Sequence, residues 1–366
     1  MVRLLLLKHA RPGMVLGRPV FSEGRTLLAP GAVLTDHILG RLREMGVQTI
    51  YVRDSGEESA RVAAEAQEVV SDQVRRDAYR AVRHYMERMR NGVAATLTDT
   101  RRITQAVASL LEEVLANRDV VLQLSEIRSM QDYVFNHSVG VAVTTSLIGI
   151  HRGLERKDLM ALATGALLHD VGKSRISDAV WNKPGRLTPE EYRRIQRHTV
   201  EGFELLRQNP AFDLRAAHIA YQHHERWDGS GYPRGLAGEK IHHFARIAAV
   251  VDVFDAMTTD RVYRPALPVH EVLAWMESEA GKSFDADVIR TFLARVAPYP
   301  VGSLVRLNTG ETALVVALND RVPARPVVSL LGQDQPVQID LKSSLVHRIV
   351  GLAEGPSGVT APPTPS

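Results

Sequence analysis

The chain has 366 residues, no cysteine and a formal net charge of +3, with 45% hydrophobic and 24% charged residues. That length exceeds one ordinary core and corresponds to about two to three domains of roughly 150 residues, while the apolar fraction excludes wholesale disorder. The absence of thiols removes disulfides, iron–sulfur clusters, thiolate metal ligands and cysteine nucleophiles together.

No stretch approaches the ~18–20 consecutive apolar residues of a membrane-spanning helix. The run Val139 to Ile150 is broken by Thr144, Thr145 and Ser146, and Leu4 to Leu7 is too short for the apolar part of a signal peptide. A cytoplasmic protein without membrane contact is expected. The pI near 9.1 comes without a long basic run, so DNA is not an expected partner.

In chain order, residues 1–56 read as a small α/β accessory domain. Val15-Leu16 and Pro19-Val20-Phe21 precede a turn at Ser22-Glu23-Gly24 and the strand Thr26-Leu27-Leu28. Thr35 is placed to cap a helix carrying Ile38, Leu39 and Leu42 and stopping at Gly46, and Val47 to Val52 returns as a strand. From Glu57 to about Asn91 apolar residues recur at three- and four-residue spacings (Val62, Ala66, Val69, Val74, Ala78, Ala81), which predicts one long amphipathic helix. Residues 57–100 are thus a linker, either packed on their own domain or pairing two copies as a homodimer. The heptad is not strict enough to choose.

Residues 101–298 are helix-dominated, and residues 299–353 switch to a period of two. Leu304-Val305-Arg306-Leu307 and Ala313 to Val316 flank a turn at Asn308-Thr309-Gly310. Val327 to Leu330 and Val337 to Leu341 flank a second turn, giving a small antiparallel sheet. Residues 354–366 are Pro-rich and expected to be a disordered tail. The fold class is therefore mainly α, with small terminal units at both ends.

The chemistry-bearing residues lie in the helical region. His169-Asp170 closes the apolar stretch Ala161 to Leu168. His223-His224-Glu225 ends a helix running from about Asp213, and adjacent side chains diverge by roughly 100° on a helix, so both imidazoles reach one ion only at its end. His198 follows the start signal Thr188-Pro189-Glu190-Glu191. His137 precedes the Val139 run. Asp252 sits in Ala248-Ala249-Val250-Val251-Asp252-Val253-Phe254, where a buried carboxylate needs a partner, and a cation suits it. An all-nitrogen-and-oxygen donor set favours iron, manganese or another first-row divalent ion over magnesium.

His169-Asp170-Val171-Gly172-Lys173, with His223-His224-Glu225-Arg226-Trp227-Asp228-Gly229-Ser230-Gly231-Tyr232-Pro233, resembles the signature pair of the HD-GYP family. Val251-Asp252-Val253-Phe254-Asp255-Ala256-Met257-Thr258-Thr259-Asp260-Arg261 resembles its third motif. The resemblance covers about residues 101–298. It implies an HD-domain helical bundle and a metal-dependent phosphodiesterase that opens cyclic di-GMP to pGpG, and onward to GMP in some cases, with a hydroxide bridging two metals as nucleophile.

Carried over by position, the resemblance implies one metal on His137, His169, Asp170 and Asp252, and a second on Asp170, His198, His223 and His224. Some family members add a Glu four residues before the first His and bind a third metal; here that position is Tyr133, and Asp132 is rotated away, so a two-metal version is expected. Two cations about 3.5–4 Å apart can bind a phosphoryl oxygen and supply hydroxide near neutrality. Lys173 is implied to stabilise charge at the scissile phosphate beside the catalytic Asp170, and Arg261 and Arg264 to hold substrate phosphates. Gly231, Tyr232 and Pro233 form a loop that either receives a nucleobase or docks a partner such as a diguanylate cyclase. His242-His243 and His218 match no family ligand and read as structural. His9, His37, His84, His151, His270 and His347 show no partner in the sequence. The alternatives are an HD phosphohydrolase for another cyclic dinucleotide, or a weakly catalytic cyclic di-GMP sensor.

Overall fold

In the computed structural model the described residues are 2–7, 10–17, 19–22, 25–45, 47, 49–53, 69–122, 133–181, 183, 185–259, 266–320, 322–333, 335 and 337–353. Their buried apolar side chains gather in three clusters, one for each composition zone of the sequence.

In the N-terminal cluster β1 (Val2–Leu6) and β2 (Val15–Leu16) both pair antiparallel with β5 (Thr49–Arg53), giving the order β1-β5-β2. The hairpin β3 (Val20–Ser22) and β4 (Arg25–Leu28) joins Ser22 to Arg25 across the expected turn. Thr35 caps α1 (Asp36–Glu44) by accepting the Ile38 N–H at 3.2 Å. Leu4 to Leu7, too short for a leader, falls largely within Val2–Leu6, an edge strand of this sheet.

The expected single helix from Glu57 to Asn91 is corrected. Residues 54–68 lie outside the described part, and at Ser71 the backbone is extended (φ −63°, ψ 151°), so α2 (Asp72–Arg90) starts there under a Ser71 cap. Its apolar face, including Tyr79, Val82, Tyr85 and Met86, is buried in the same cluster as the rest of the helical region. That face is spent within one chain. A homodimer would have to use other residues. The anticipated division at residue 100 falls inside α3 (Leu97–Ala116), which packs on α2 as a helical hairpin.

The buried Asp99 ties this hairpin together. It accepts from Thr96 in a capping box and pairs with His84 Nε2 at 3.0 Å and Arg88 Nε at 2.9 Å. His84, read from sequence as partnerless, therefore has a carboxylate. His151 meets the Arg118 carbonyl, His270 stacks on Tyr299 and His347 contacts Ser344. Except for Ser344, three residues before His347, these partners come from distant chain segments, which local sequence cannot show.

The helix α4 (Tyr133–His151) is apolar on all sides and packs against α2, α3, α5 (Arg156–Leu167) and α10 (His243–Thr258), so it forms the middle of the bundle. The remaining helices are α6 (Asp178–Trp181), α7 (Pro189–Gln196), α8 (His198–Arg207), α9 (Leu214–Gln222), α11 (Val269–Ser278) and α12 (Ala286–Leu293). Beyond them β6 (Leu304–Leu307), β7 (Thr312–Ala317), β8 (Val327–Leu330), β9 (Gln338–Asp340) and β10 (Ile349–Leu352) form an antiparallel sheet in the order β10-β6-β7-β8-β9. The fold is mainly helical with a small C-terminal antiparallel sheet, as the periodicities predict. Among the described residues no helix is long and apolar enough to cross a membrane.

Candidate metal centre

Five chain segments converge at the centre of the bundle. α5 ends at Leu167, and the turn that follows carries His169 and Asp170 into the short 3-10 segment Val171–Arg175. α9 ends at Gln222, so His223 and His224 lie on the turn beyond it, where two adjacent imidazoles can face one point. These helix ends meet because α5 and α9 cross closely: a Cβ on Gly165 would lie 2.7 Å from the Ala216 carbonyl oxygen. α7 and α8 are separate helices with Arg197 between them, and His198 opens the second. The 3-10 segment then presses on the start of α8, where a Cβ on Gly172 would lie 1.9 Å from the His198 carbonyl oxygen. His137 comes from α4, and Asp252 from α10.

The structure brings together all seven residues expected to face metal. Two groups have ligand atoms within 4.8 Å of one another: His137, His169 and Asp170, and separately His198, His223 and His224. Asp170 stands between them. Its Oδ2 is 3.2 Å from His169 Nε2, and its Oδ1 is 3.4 Å from His198 Nε2 and 3.8 Å from His223 Nε2. Asp252 is also two-sided, with Oδ1 3.0 Å from His137 Nε2 and 3.8 Å from His169 Nε2, while Oδ2 is 3.8 Å from His224 Nδ1. The family resemblance implies Asp252 for the first group alone.

Hydrogen bonds fix which ring nitrogen faces the centre. A backbone carbonyl only accepts, so the nitrogen beside it must carry the proton. His169 Nδ1 donates to Ala166 O at 2.8 Å, His198 Nδ1 to Ile195 O at 2.6 Å, and His223 Nδ1 to Ile219 O and Ala220 O, both at 3.0 Å. Each ring therefore turns a bare Nε2 lone pair inward. Two of these, on His198 and His223, face each other at 3.3 Å. His169 Nε2 and Asp170 Oδ1 are buried without a hydrogen-bond partner. Converging lone pairs and a carboxylate in a dry interior are costly unless a positive ion sits among them. This donor set fits borderline divalent metal ions.

Electrostatics points the same way. Burial works against the Asp170 charge, but Lys173 and the surrounding imidazoles hold its pKa well below the usual carboxylate range. Burial brings His198 down to about 4 and His223 down to about 3, so both stay neutral ligands. Burial also depresses His137, yet Asp255 and Asp252 outweigh it and push that ring up to about 9. A positive charge is thus required between His137 and Asp252, and either a proton or a metal ion supplies it.

For metal-free protein these shifts give a sign on each side of neutrality. His198 and His223, with His242 pushed down to about 4 by burial and by His243 and His218, bind protons in the unfolded chain before the folded one. Their stabilising contribution is full above about pH 6.5 and falls toward pH 4. His137 has the opposite sign: its contribution is full below about pH 6.5 and is lost as pH rises toward 9. The melting temperature of chelator-treated protein is therefore expected to peak near pH 6.5. A flat profile from pH 5 to 9 would contradict these assignments.

Lys173 donates to Asp170 Oδ2 beside the centre. Tyr232 lies against His224, with ring centroids 4.7 Å apart, and burial raises its hydroxyl pKa. A Cβ on Gly231 would lie 2.4 Å from both Arg226 N and His224 O, so the loop folds back onto the double-histidine turn. Pro233 follows Tyr232 through a cis peptide. Arg261 and Arg264 lie outside the described residues, as does Asp132. His218 and His242 stack at 5.6 Å and join neither ligand group.

Two buried carboxylates were missed by sequence reasoning. Asp255 Oδ2 holds His137 Nδ1 at 2.6 Å. The signal available for it was its place one helical turn after Asp252. Glu225 was quoted in the motif without a role. It accepts the backbone N–H groups of Arg234 and Leu236, both at 2.9 Å, and so closes the loop over the centre. Glu225→Ala strands both donors, and a loss of about 2–4 kcal/mol is expected in urea unfolding. An unchanged midpoint would remove this role.

With the geometry in place, comparison with known proteins gives the family. The HD domain family matches residues 102–288. Over 351 residues the chain is 32% identical to a Pseudomonas aeruginosa protein named cyclic di-GMP phosphodiesterase PA4108, covering 90% of this chain and 83% of that protein. The chain belongs to the HD-GYP family. HD-GYP proteins carry the HD domain, a metal-dependent hydrolase, and the His/Asp groups described above are its candidate metal site here. This HD-GYP chain is also 39% identical over 176 residues to a Thermotoga maritima protein named cyclic di-GMP phosphodiesterase, covering 48% of this chain and 47% of that one. It is 39% identical over 155 residues to a Vibrio cholerae protein named 3′3′-cGAMP-specific phosphodiesterase 3, covering 42% of this chain and 34% of that one. In both cases the matched region is less than half of the relative.

Proposed function

We propose that this HD-GYP chain is a cyclic di-GMP phosphodiesterase that hydrolyses one phosphodiester to give linear pGpG. The observation that carries this reading is the convergence of five imidazoles and two carboxylates on one buried centre, in a chain similar over most of its length to a protein named for that activity. His137, His169, Asp170 and Asp252 would hold one divalent ion, and Asp170, His198, His223 and His224 a second, iron or manganese by donor type. Bound ions of this kind supply Lewis acidity at phosphoryl oxygens and acidify water near neutral pH.

The chain's own residues do the rest. Burial keeps His198 and His223 neutral, and the Nδ1–H bonds of His169, His198 and His223 to backbone carbonyls hold those rings aimed, so little reorganisation is needed when substrate arrives. Asp170 stays ionised and, with one oxygen toward each group, is placed to join them. Lys173, anchored on Asp170, puts an ammonium where the phosphate's negative charge would lie. In the overall reaction a water oxygen bonds to phosphorus, the bond to the 3′-oxygen breaks, and that oxygen takes a proton. Arg261 and Arg264 are assigned to phosphate binding on the motif alone. The packing of Tyr232 on His224 supports a substrate-side role for Gly231, Tyr232 and Pro233, ahead of docking a diguanylate cyclase.

The test is anaerobic reconstitution of the full chain with Fe(II) or Mn(II), counting bound metal and following cyclic di-GMP and 3′3′-cGAMP in parallel. Two metals per chain with pGpG appearing is the expected result. Faster turnover of 3′3′-cGAMP would reassign the substrate, and metal binding without product from either would leave a sensor.

A further inference from the structure

Three of the inward-facing imidazoles lean on neutral backbone carbonyls, His169 on Ala166, His198 on Ile195 and His223 on Ile219 and Ala220. His137 does not. Its Nδ1 meets the Asp255 carboxylate at 2.6 Å, while Asp252 Oδ1 stands 3.0 Å from its Nε2. Asp252 and Asp255 are three residues apart on α10 and share a face, so one helix grips both ends of the ring. Both carboxylates are almost fully buried, at 6% and 4% exposure, where charge is screened least.

This makes the two ligand groups unequal. A carboxylate behind an imidazole strengthens that nitrogen as a donor and locks its tautomer, and charged acceptors form hydrogen bonds roughly twice as strong as neutral ones. The His137 side gathers the charges of Asp170, Asp252 and Asp255. The His198, His223 and His224 side shares Asp170, meets Asp252 only at 3.8 Å through His224 Nδ1, and backs His198 and His223 with neutral carbonyls.

We propose that Asp255 is a positioning residue that orients His137 and thereby makes the cation position on His137, His169 and Asp170 the tighter of the two. The inference rests on the two-ion reading above. Asp255 acts through His137 and has no contact assigned to substrate.

The test uses the full-length chain, stripped by chelator and titrated with Mn(II), with bound metal counted at each step against a competing chelator. Wild type, Asp255→Asn and Asp255→Ala are compared. Wild type is expected to take two equivalents in two resolved steps. Asp255→Asn, which still accepts the Nδ1–H bond but carries no charge, should weaken the tighter step about 10–100-fold and leave the weaker step in place. Asp255→Ala should weaken it further, and Asp255→Asn alone carries the test if the alanine variant does not fold. Two unchanged steps in Asp255→Asn would overturn the proposal. So would an equal loss in both steps with a lower melting temperature before metal is added, since that is what a prop for the fold would give. Wild type binding fewer than two equivalents would instead remove the two-ion reading itself.

Discussion

Asp170→Ala is expected to abolish cyclic di-GMP turnover and to take bound metal with it, because this carboxylate turns one oxygen toward each ligand cluster. Its Oδ1 lies 3.4 Å from His198 Nε2, and its Oδ2 lies 3.2 Å from His169 Nε2. Removing it leaves five imidazoles and Asp252, too little anionic charge to hold two divalent ions. It also removes the carboxylate to which the Lys173 ammonium donates, so a lower melting temperature is expected. The measurement is metal content, turnover and melting temperature on one preparation. Retained turnover would sink the shared-ligand arrangement. Asp170→Asn separates the two effects, since it keeps the volume and an acceptor oxygen while removing the charge. It should recover part of the stability and none of the turnover.

Gly172→Ala, which adds a single methyl group, is expected to be nearly as damaging. The new methyl would lie 1.9 Å from His198 O, 2.8 Å from His198 C and 2.5 Å from Gly202 N, all backbone atoms that no rotamer change can move aside. The 3-10 segment must therefore back away from the start of α8. Overpacking of this kind costs about 1–3 kcal/mol and sometimes more. The functional damage is geometric: Asp170 precedes Gly172 by two residues and His198 is the residue struck, so the same shift pulls a shared ligand from its neighbour. Loss of the second metal equivalent with the fold retained by circular dichroism is the expected outcome. Wild-type metal content and stability would show that the close approach is dispensable.

How much of this was legible in the sequence depends on how local each signal is. His169-Asp170 and His223-His224 each follow a helix end that the residue pattern marks, and Asp252 betrays itself as a lone carboxylate in an apolar run. The carboxylates that support the centre carry weaker marks. Asp255 sits on a helix where an extra acidic residue is unremarkable, and only the fold brings His137, more than a hundred residues earlier, against it. Glu225 follows two histidines and looks like an ordinary solvated turn residue until its two backbone donors, Arg234 and Leu236, come round in the loop. The helix from Glu57 was read as continuous because Val69, Val70 and Val74 keep the helical period. Ser71 ends that continuity by offering a cap instead.

The convergence of five segments has a mechanical consequence. The ligand side chains are drawn from α4, the turn after α5, the start of α8, the end of α9 and α10, so ions held by them would fasten together chain positions from 137 to 252 that no covalent bond joins. In a polypeptide without cysteine, such a fastening does the work of a cross-link: it closes long loops whose entropy the unfolded chain otherwise keeps. Ion supply would then govern the lifetime of the folded molecule as well as its chemistry, and a chelator would shorten resistance to proteolysis in the helical region while sparing the C-terminal sheet, which contributes no ligand.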